Sequence, residues 1–110
     1  MKLEHTQGPW RVLPEEAGVP YIRIRGTVLG RRYKIANVHM ETHGSLGEAW
    51  NEQARMESRA NARLIAAATE LLNELEWLRA YIGRFDPPGC PNFIVKRIDV
   101  VLAKATGSTP

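Results

Sequence analysis

Apolar residues recur at intervals of four and three from residue 45 to residue 83, the longest uninterrupted apolar pattern in the chain. Side chains at this spacing share one face of an α-helix. The pattern therefore predicts a long helix over 45–83, starting where Ser45 and Glu48 form a capping-box signature, or alternatively at Glu57. Its predicted seam, which should touch both a sheet and another helix, is Trp50, Ala54, Glu57, Asn61, Leu64, Ala68, Leu71, Leu75, Leu78 and Ile82.

A second helical pattern follows a segment that cannot be helical. Residues 84–91 contain three prolines and a glycine, which end the long helix. From residue 91 to residue 105 apolar residues again recur at helical spacing, and Gly107 follows as a stop signal. We expect this shorter C-terminal helix to fold back on the long one as an antiparallel pair.

The first 44 residues have the pattern of strands. A short strand begins at Trp10, and residues 21–25 alternate with period two, so that Ile22 and Ile24 face the core. A third run, 33–38, completes a hairpin, in which Ile35 and Val38 can both face the core only if a bulge separates them. The sequence predicts a single α+β domain, with an antiparallel sheet of about three strands at 1–44 followed by the helical pair.

Length and composition fit one soluble domain, with 110 residues of which 44% are hydrophobic. Neither a membrane-spanning run nor the apolar core of a signal peptide occurs, so we expect a cytoplasmic protein without a membrane partner. The single cysteine, Cys90, agrees with a reducing compartment and is interpreted as incidental rather than as a reactive thiol.

Positive charge is concentrated in the predicted hairpin. The net charge is only +3, but residues 17–40 contain five bases and no acid. Arg23 and Arg25 should stand about 7 Å apart on the exposed face of one strand, and Arg11 on the preceding strand could join them. Because a guanidinium matches two phosphate oxygens at once, these arginines form a candidate anion site. The alternative is a solvated face that discourages edge pairing.

Two polar residues of the long helix are further ligand-binding candidates. Asn61 falls on the apolar seam, where a buried amide needs a partner. It could recognise the base or ribose of a ligand, or instead fix the helix register across an oligomer contact or cap a backbone group of the sheet. Arg63 could meet a phosphate or a neighbouring carboxylate. The small side chains of 66–68 would admit another helix in an oligomer, or pack against the chain's own sheet.

No catalytic constellation is evident, so we expect a protein that is not an enzyme and uses no cofactor. The nearest to a metal site is the pair His39 and His43, which without further ligands is interpreted as solvated loop histidines. The acidic residues at 70, 74 and 76 share their helix with Arg79 and are interpreted as surface charge rather than as catalytic carboxylates.

Three segments occur in the order typical of a family of small phage and prophage proteins. They are Thr6-Gln7-Gly8-Pro9-Trp10, then Ala60-Asn61-Ala62-Arg63-Leu64-Ile65-Ala66-Ala67-Ala68 followed by Glu70-Leu71-Leu72, and Leu102-Ala103-Lys104-Ala105-Thr106-Gly107. The chain resembles this family across nearly its whole length. Gln7 and Thr69 stand where the family usually has proline, and the loss of the second proline favours a helix continuous through Thr69.

The resemblance implies a phage accessory protein acting in the host cytoplasm, and many such proteins counter host defences. Our first hypothesis is a homo-oligomer that sequesters an anionic nucleotide signal, of the cyclic or ADP-ribose type, with the basic residues described above. The second is a protein–protein inhibitor of a host defence effector. The third is weak nucleic-acid binding through the same arginines.

Overall fold

The computed structural model describes residues 5–28, 30–40, 44–84 and 92–108, and Cys90 lies outside these ranges. The predicted α+β class is confirmed, because three strands precede three helices. No helix within the described ranges has the length and hydropathy needed to cross a membrane. The elements are β1 (Trp10–Val12), β2 (Tyr21–Val28), β3 (Arg31–His39), a short 3-10 turn (Gly44–Leu46), α1 (Glu48–Ala66), α2 (Ala68–Arg84) and α3 (Asn92–Thr106).

The sheet is antiparallel in the order β1-β2-β3, and one of its faces packs against α1. Ile22 and Ile24 are buried on that face, as their alternation predicts. The pairing shifts from Ile24↔Ala36 to Arg25↔Lys34, which leaves Ile35 as the extra residue of a bulge. Ile35 and Val38 therefore both pack against the core, and the bulge that the sequence required is confirmed.

Helix α1 meets the sheet with small side chains rather than with the predicted seam. Ala62 and Ala66 are buried against Ile22 and Ile24, so the alanines pack on the chain's own sheet. Small residues let the helix approach closely, and the isoleucines of β2 fill the space that remains. The prediction that Asn61 lies on a buried seam is wrong, because its side chain is exposed one position away from Ala62.

The segment predicted as one helix is divided in the structure. Helix α1 begins at Glu48 after Gly47, whose φ of 85° suits glycine, and Ser45 lies in the 3-10 turn instead of capping the helix. Ala67 then separates α1 from α2 with φ −85° and ψ 0°. Alanines favour helix and no proline is present, so local propensity does not explain the interruption. Thr69, just beyond it, is buried next to Gly8.

The chain forms two compact units. The first is His5–Thr69, and it holds every fully buried residue of the described part of the chain. The second contains α3 and the part of α2 from Glu70. In this second unit Arg79 Nε donates to Asp99 Oδ1 at 2.8 Å and joins the two helices.

The loop between β1 and β2 is tied to both layers of the first unit by two acidic residues. Glu16 accepts a hydrogen bond from Arg23 of the sheet at 2.8 Å. Glu15 accepts two from Arg59 of α1, at 2.9 and 3.2 Å. The hydrogen bonds from Arg59 hold the pKa of Glu15 below its ordinary value, because they favour the charged carboxylate.

We expect Glu15 to make the stability of the protein depend on pH. A carboxyl whose folded-state pKa is lowered stabilises the protein above the pKa of the unfolded state, and this contribution disappears as the pH falls through the folded-state value. Glu15→Gln should lower the thermal midpoint by about 1–4 °C at pH 7, and this deficit should shrink as the pH falls below the ordinary pKa of a glutamate. Thermal melts of both proteins across this range, with Glu76→Gln as the control, test it. A deficit that persists unchanged in acid would contradict it.

Candidate functional site

The face of the sheet opposite α1, here called the open face, carries most of the strand bases. The three strands contain six bases and no acid: Arg11, Arg23, Arg25, Arg31, Arg32 and Lys34. Arg11 pairs across strands with Arg25, and Arg25 pairs with Lys34. Since directly paired residues project to the same face about 5 Å apart, these three form a row spanning roughly 10 Å across the whole sheet.

Two of the predicted site residues are already engaged within the chain. Arg23 donates to the Glu16 carboxylate at 2.8 Å and to the carbonyl of Pro14 at 3.3 Å, so an acid of the same chain neutralises it. Arg23 and Arg25 therefore do not offer an anion the two unpaired guanidinium groups that the sequence predicted. The physical reason is the loop of residues 13–20, which brings Glu16 back over the start of β2.

Arg25 has a structural role at the bulge. Its Nη1 donates to the carbonyls of Ile24 and Ala36 and to Oδ1 of Asn37, each at 3.0 Å. The bulge disturbs the ladder at this point, and the guanidinium supplies a donor where strand pairing is irregular. These contacts use one nitrogen and fix the group in place, so the positive charge of Arg25 is held at the centre of the row.

The exposed ends of the row are Arg11 and Lys34, and Arg32 lies nearby on the open face. None of the three has a hydrogen bond or ion pair to the described part of the chain. Lys34 and Arg32 were not among the predicted site residues, because the side of β3 that faces the core was ambiguous. The sequence did hold a signal for Lys34, because Ile35 and Val38 can both face the core only if a bulge separates them. A bulge at Ile35 puts Lys34 and Asn37 on the same face.

Asn61 and Arg63 do not join this row. Both are exposed on α1, which packs against the other face of the sheet. The structure thus brings together Arg11, Arg25 and, two residues along β2, Arg23, but it separates them from the two helical candidates. A single chain cannot hold one small ligand with all five.

The histidine pair predicted as the nearest approach to a metal site falls partly outside the described residues. His39 ends β3 on the open face, paired with Tyr21, and its side chain is exposed. His43 and Glu41 lie outside the described ranges. Among the described residues no three His, Cys, Asp or Glu side chains come together as a metal ion would require.

Comparison with known proteins identifies a family. The sequence model of the family described as Salmonella phage P22 protein Y8K6 matches residues 1–109. No curated protein and no solved structure matches the chain.

Proposed function

Because the chain belongs to the Salmonella phage P22 protein Y8K6 family, we propose that it is a phage accessory protein that counters a host defence by holding an anionic nucleotide signal on the open face of its sheet. The observation that supports this is the row of Arg11, Arg25 and Lys34, which crosses strands that contain no acid. A phosphate-bearing ligand is the class that such a row attracts most strongly.

The protein would act by stoichiometric binding without turnover. Arg25 is positioned by the backbone of the bulge, and the hydrogen bonds that hold it there use only Nη1, so Nε and Nη2 are the donors it would offer to an anion. Arg11 and Lys34 lie on either side of it and would close on the phosphates from β1 and β3. At the other end of the open face, Tyr21 and His39 pair across the strands and offer ring surfaces to a base.

Isothermal calorimetry with cyclic mononucleotides, cyclic dinucleotides and ADP-ribose tests this function. The double variant Arg11→Ala/Lys34→Ala should bind at least about 30-fold more weakly than the wild type, since each lost phosphate contact accounts for about tenfold or somewhat less. Arg25 is left intact because its loss would also remove the hydrogen bonds at the bulge.

Arg31→Ala is the matched control. Arg31 is exposed on the same strand but projects to the opposite side from its neighbour Arg32, so it removes a charge from the hairpin without touching the row. If Arg31→Ala weakened nucleotide binding equally, binding would depend on the overall positive charge of the sheet and not on the row. Failure of the wild type to bind any of these nucleotides would eliminate the proposal.

A single-stranded nucleic acid would meet the same row, and it is the second candidate. It is distinguished by its salt dependence, because phosphate neutralisation releases counterions and affinity falls steeply between 50 and 200 mM salt, by roughly 300-fold for six contacts to a single strand. Affinity that grows with oligonucleotide length would favour this candidate. Affinity limited to a particular small nucleotide would favour sequestration.

A further inference from the structure

The second unit exposes apolar side chains that its own two helices leave uncovered. On α2, Leu71 and Trp77 are 54% and 61% exposed, and on α3, Phe93 and Val100 are 60% and 61% exposed. None of the described residues from Glu70 onward is fully buried. A pair of helices that buries so little is marginal in water, because most helical stability in proteins comes from packing an apolar face.

The exposed residues form one stripe on each helix, with the same spacing. On α2 the stripe, called here the acidic stripe, consists of Glu70, Leu71, Glu74, Trp77 and Leu78. On α3 the stripe, called here the basic stripe, consists of Phe93, Ile94, Arg97, Val100, Val101 and Lys104. Both follow steps of three and four, which keep residues on one side of a helix.

The half-buried apolar residues lie on another side of each helix. They are Leu72, Leu75 and Ile82 on α2 and Val95, Ile98 and Leu102 on α3. The ion pair of Arg79 with Asp99 joins the two helices on this side. The stripes are therefore distinct from the side on which Arg79 and Asp99 join α2 to α3.

The two stripes complement each other in charge. Glu74 occupies the centre of the acidic stripe, and Arg97 occupies the equivalent position of the basic stripe, with Glu70 and Lys104 as the outer charges. None of these four charged groups has an ion pair within the described part of the chain. The surface that best fits the acidic stripe, in apolar spacing and in sign, is thus the basic stripe of another copy.

We propose that two copies of the chain associate through helices α2 and α3, with the acidic stripe of each copy on the basic stripe of the other. A twofold axis makes this contact twice, and it completes a four-helix arrangement with a shared apolar core. The seven apolar residues of the two stripes are each 37–61% exposed, so a contact that covers both stripes removes a large apolar patch from water. The association uses no residue of the basic row on the sheet.

Charge reversal and mixing test this proposal. Glu70→Lys/Glu74→Lys should be monomeric, because both stripes are then basic, and Arg97→Glu/Lys104→Glu should be monomeric because both are then acidic. An equimolar mixture should regain a dimer that contains one copy of each variant, since both contacts then join opposite charges. Sedimentation velocity and native mass spectrometry measure the masses, with wild type expected at twice the chain mass at about 50 µM.

Mixing separates association from effects within one chain, because intrachain repulsion in each variant is unchanged by adding the other. Circular dichroism shows whether each variant keeps its helices. If a double variant loses them, the single changes Glu74→Lys and Arg97→Glu are mixed in the same way, with at least about tenfold recovery of dimer affinity expected. A wild type with the mass of one chain, or a mixture that stays monomeric, overturns the proposal. In that event the stripes are left for another protein.

Discussion

Ile24→Ala is expected to lower the free energy of unfolding by about 3–4 kcal/mol, a large fraction of the roughly 5–15 kcal/mol that stabilises a typical protein. Ile24 is the centre of the core, with a relative exposure of 0%, and it packs between the sheet and the alanines of α1. Ala62 and Ala66 are too small to fill the space left by a missing isoleucine side chain. Closing the cavity would require the backbone of α1 to move. Most of the cavity would therefore remain.

Denaturant unfolding followed by circular dichroism measures the effect of Ile24→Ala. Leu64→Ala is the matched control, because it removes a similar number of carbon atoms from an α1 side chain that is 63% exposed. The control should cost less than about 0.5 kcal/mol, as surface substitutions usually do. Similar losses in the two variants would mean that α1 meets the sheet through the seam of Leu64 rather than through Ala62 and Ala66.

Gly8→Ala is the second change with a large expected effect, a loss of about 2–3 kcal/mol. A Cβ at Gly8 would collide with Oγ1 of Thr69, and it would also lie 3.1 Å from the Cβ of Thr69. Thr69 is 4% exposed in the first turn of α2, and its β-branched side chain has little freedom to turn away. The clash therefore has to displace backbone.

The cause of the Gly8 effect can be tested by removing the other partner. Thr69→Ala deletes a buried methyl group together with the hydroxyl, which has no hydrogen-bond partner among the described residues, so alone it should change stability by about 1 kcal/mol or less. In the Gly8→Ala/Thr69→Ala double variant most of the loss should be recovered. Additive losses in this cycle would place the role of Gly8 in its backbone rather than in the contact with Thr69.

The proposal of nucleotide binding on the sheet and the proposal of dimerisation through α2 and α3 can fail independently. The double variant Arg11→Ala/Lys34→Ala should bind nucleotide poorly and still dimerise, because its changes lie in the first unit. The variants with reversed charges on α2 or α3 should be monomeric and still bind one nucleotide per chain. If the variants with reversed charges on α2 or α3 also lost nucleotide binding, the ligand would be bound by residues from two copies. Asn61 and Arg63 would then again become candidate binding residues.

The candidate site was predictable in part. Alternation in residues 21–25 was enough to put Arg23 and Arg25 opposite the buried isoleucines, and the register then placed Arg11 beside Arg25. What the residues alone could not reveal is that Glu16 neutralises Arg23, because a loop acid reaches a strand only through the path of the folded chain. Lys34 was missed for a related reason, since one extra residue in β3 reverses which side chains face the core.

By itself the sequence determined the class of fold, the three strands, the break after residue 84 and the need for a bulge in β3. These follow from local rules, in which period, glycine and proline limit what each short segment can form. Only the tertiary structure decided which face of α1 is buried, because a close approach to Ile22 and Ile24 favours small side chains over the more hydrophobic seam. It likewise decided the interruption at Ala67, which neither the three successive alanines nor a proline would predict.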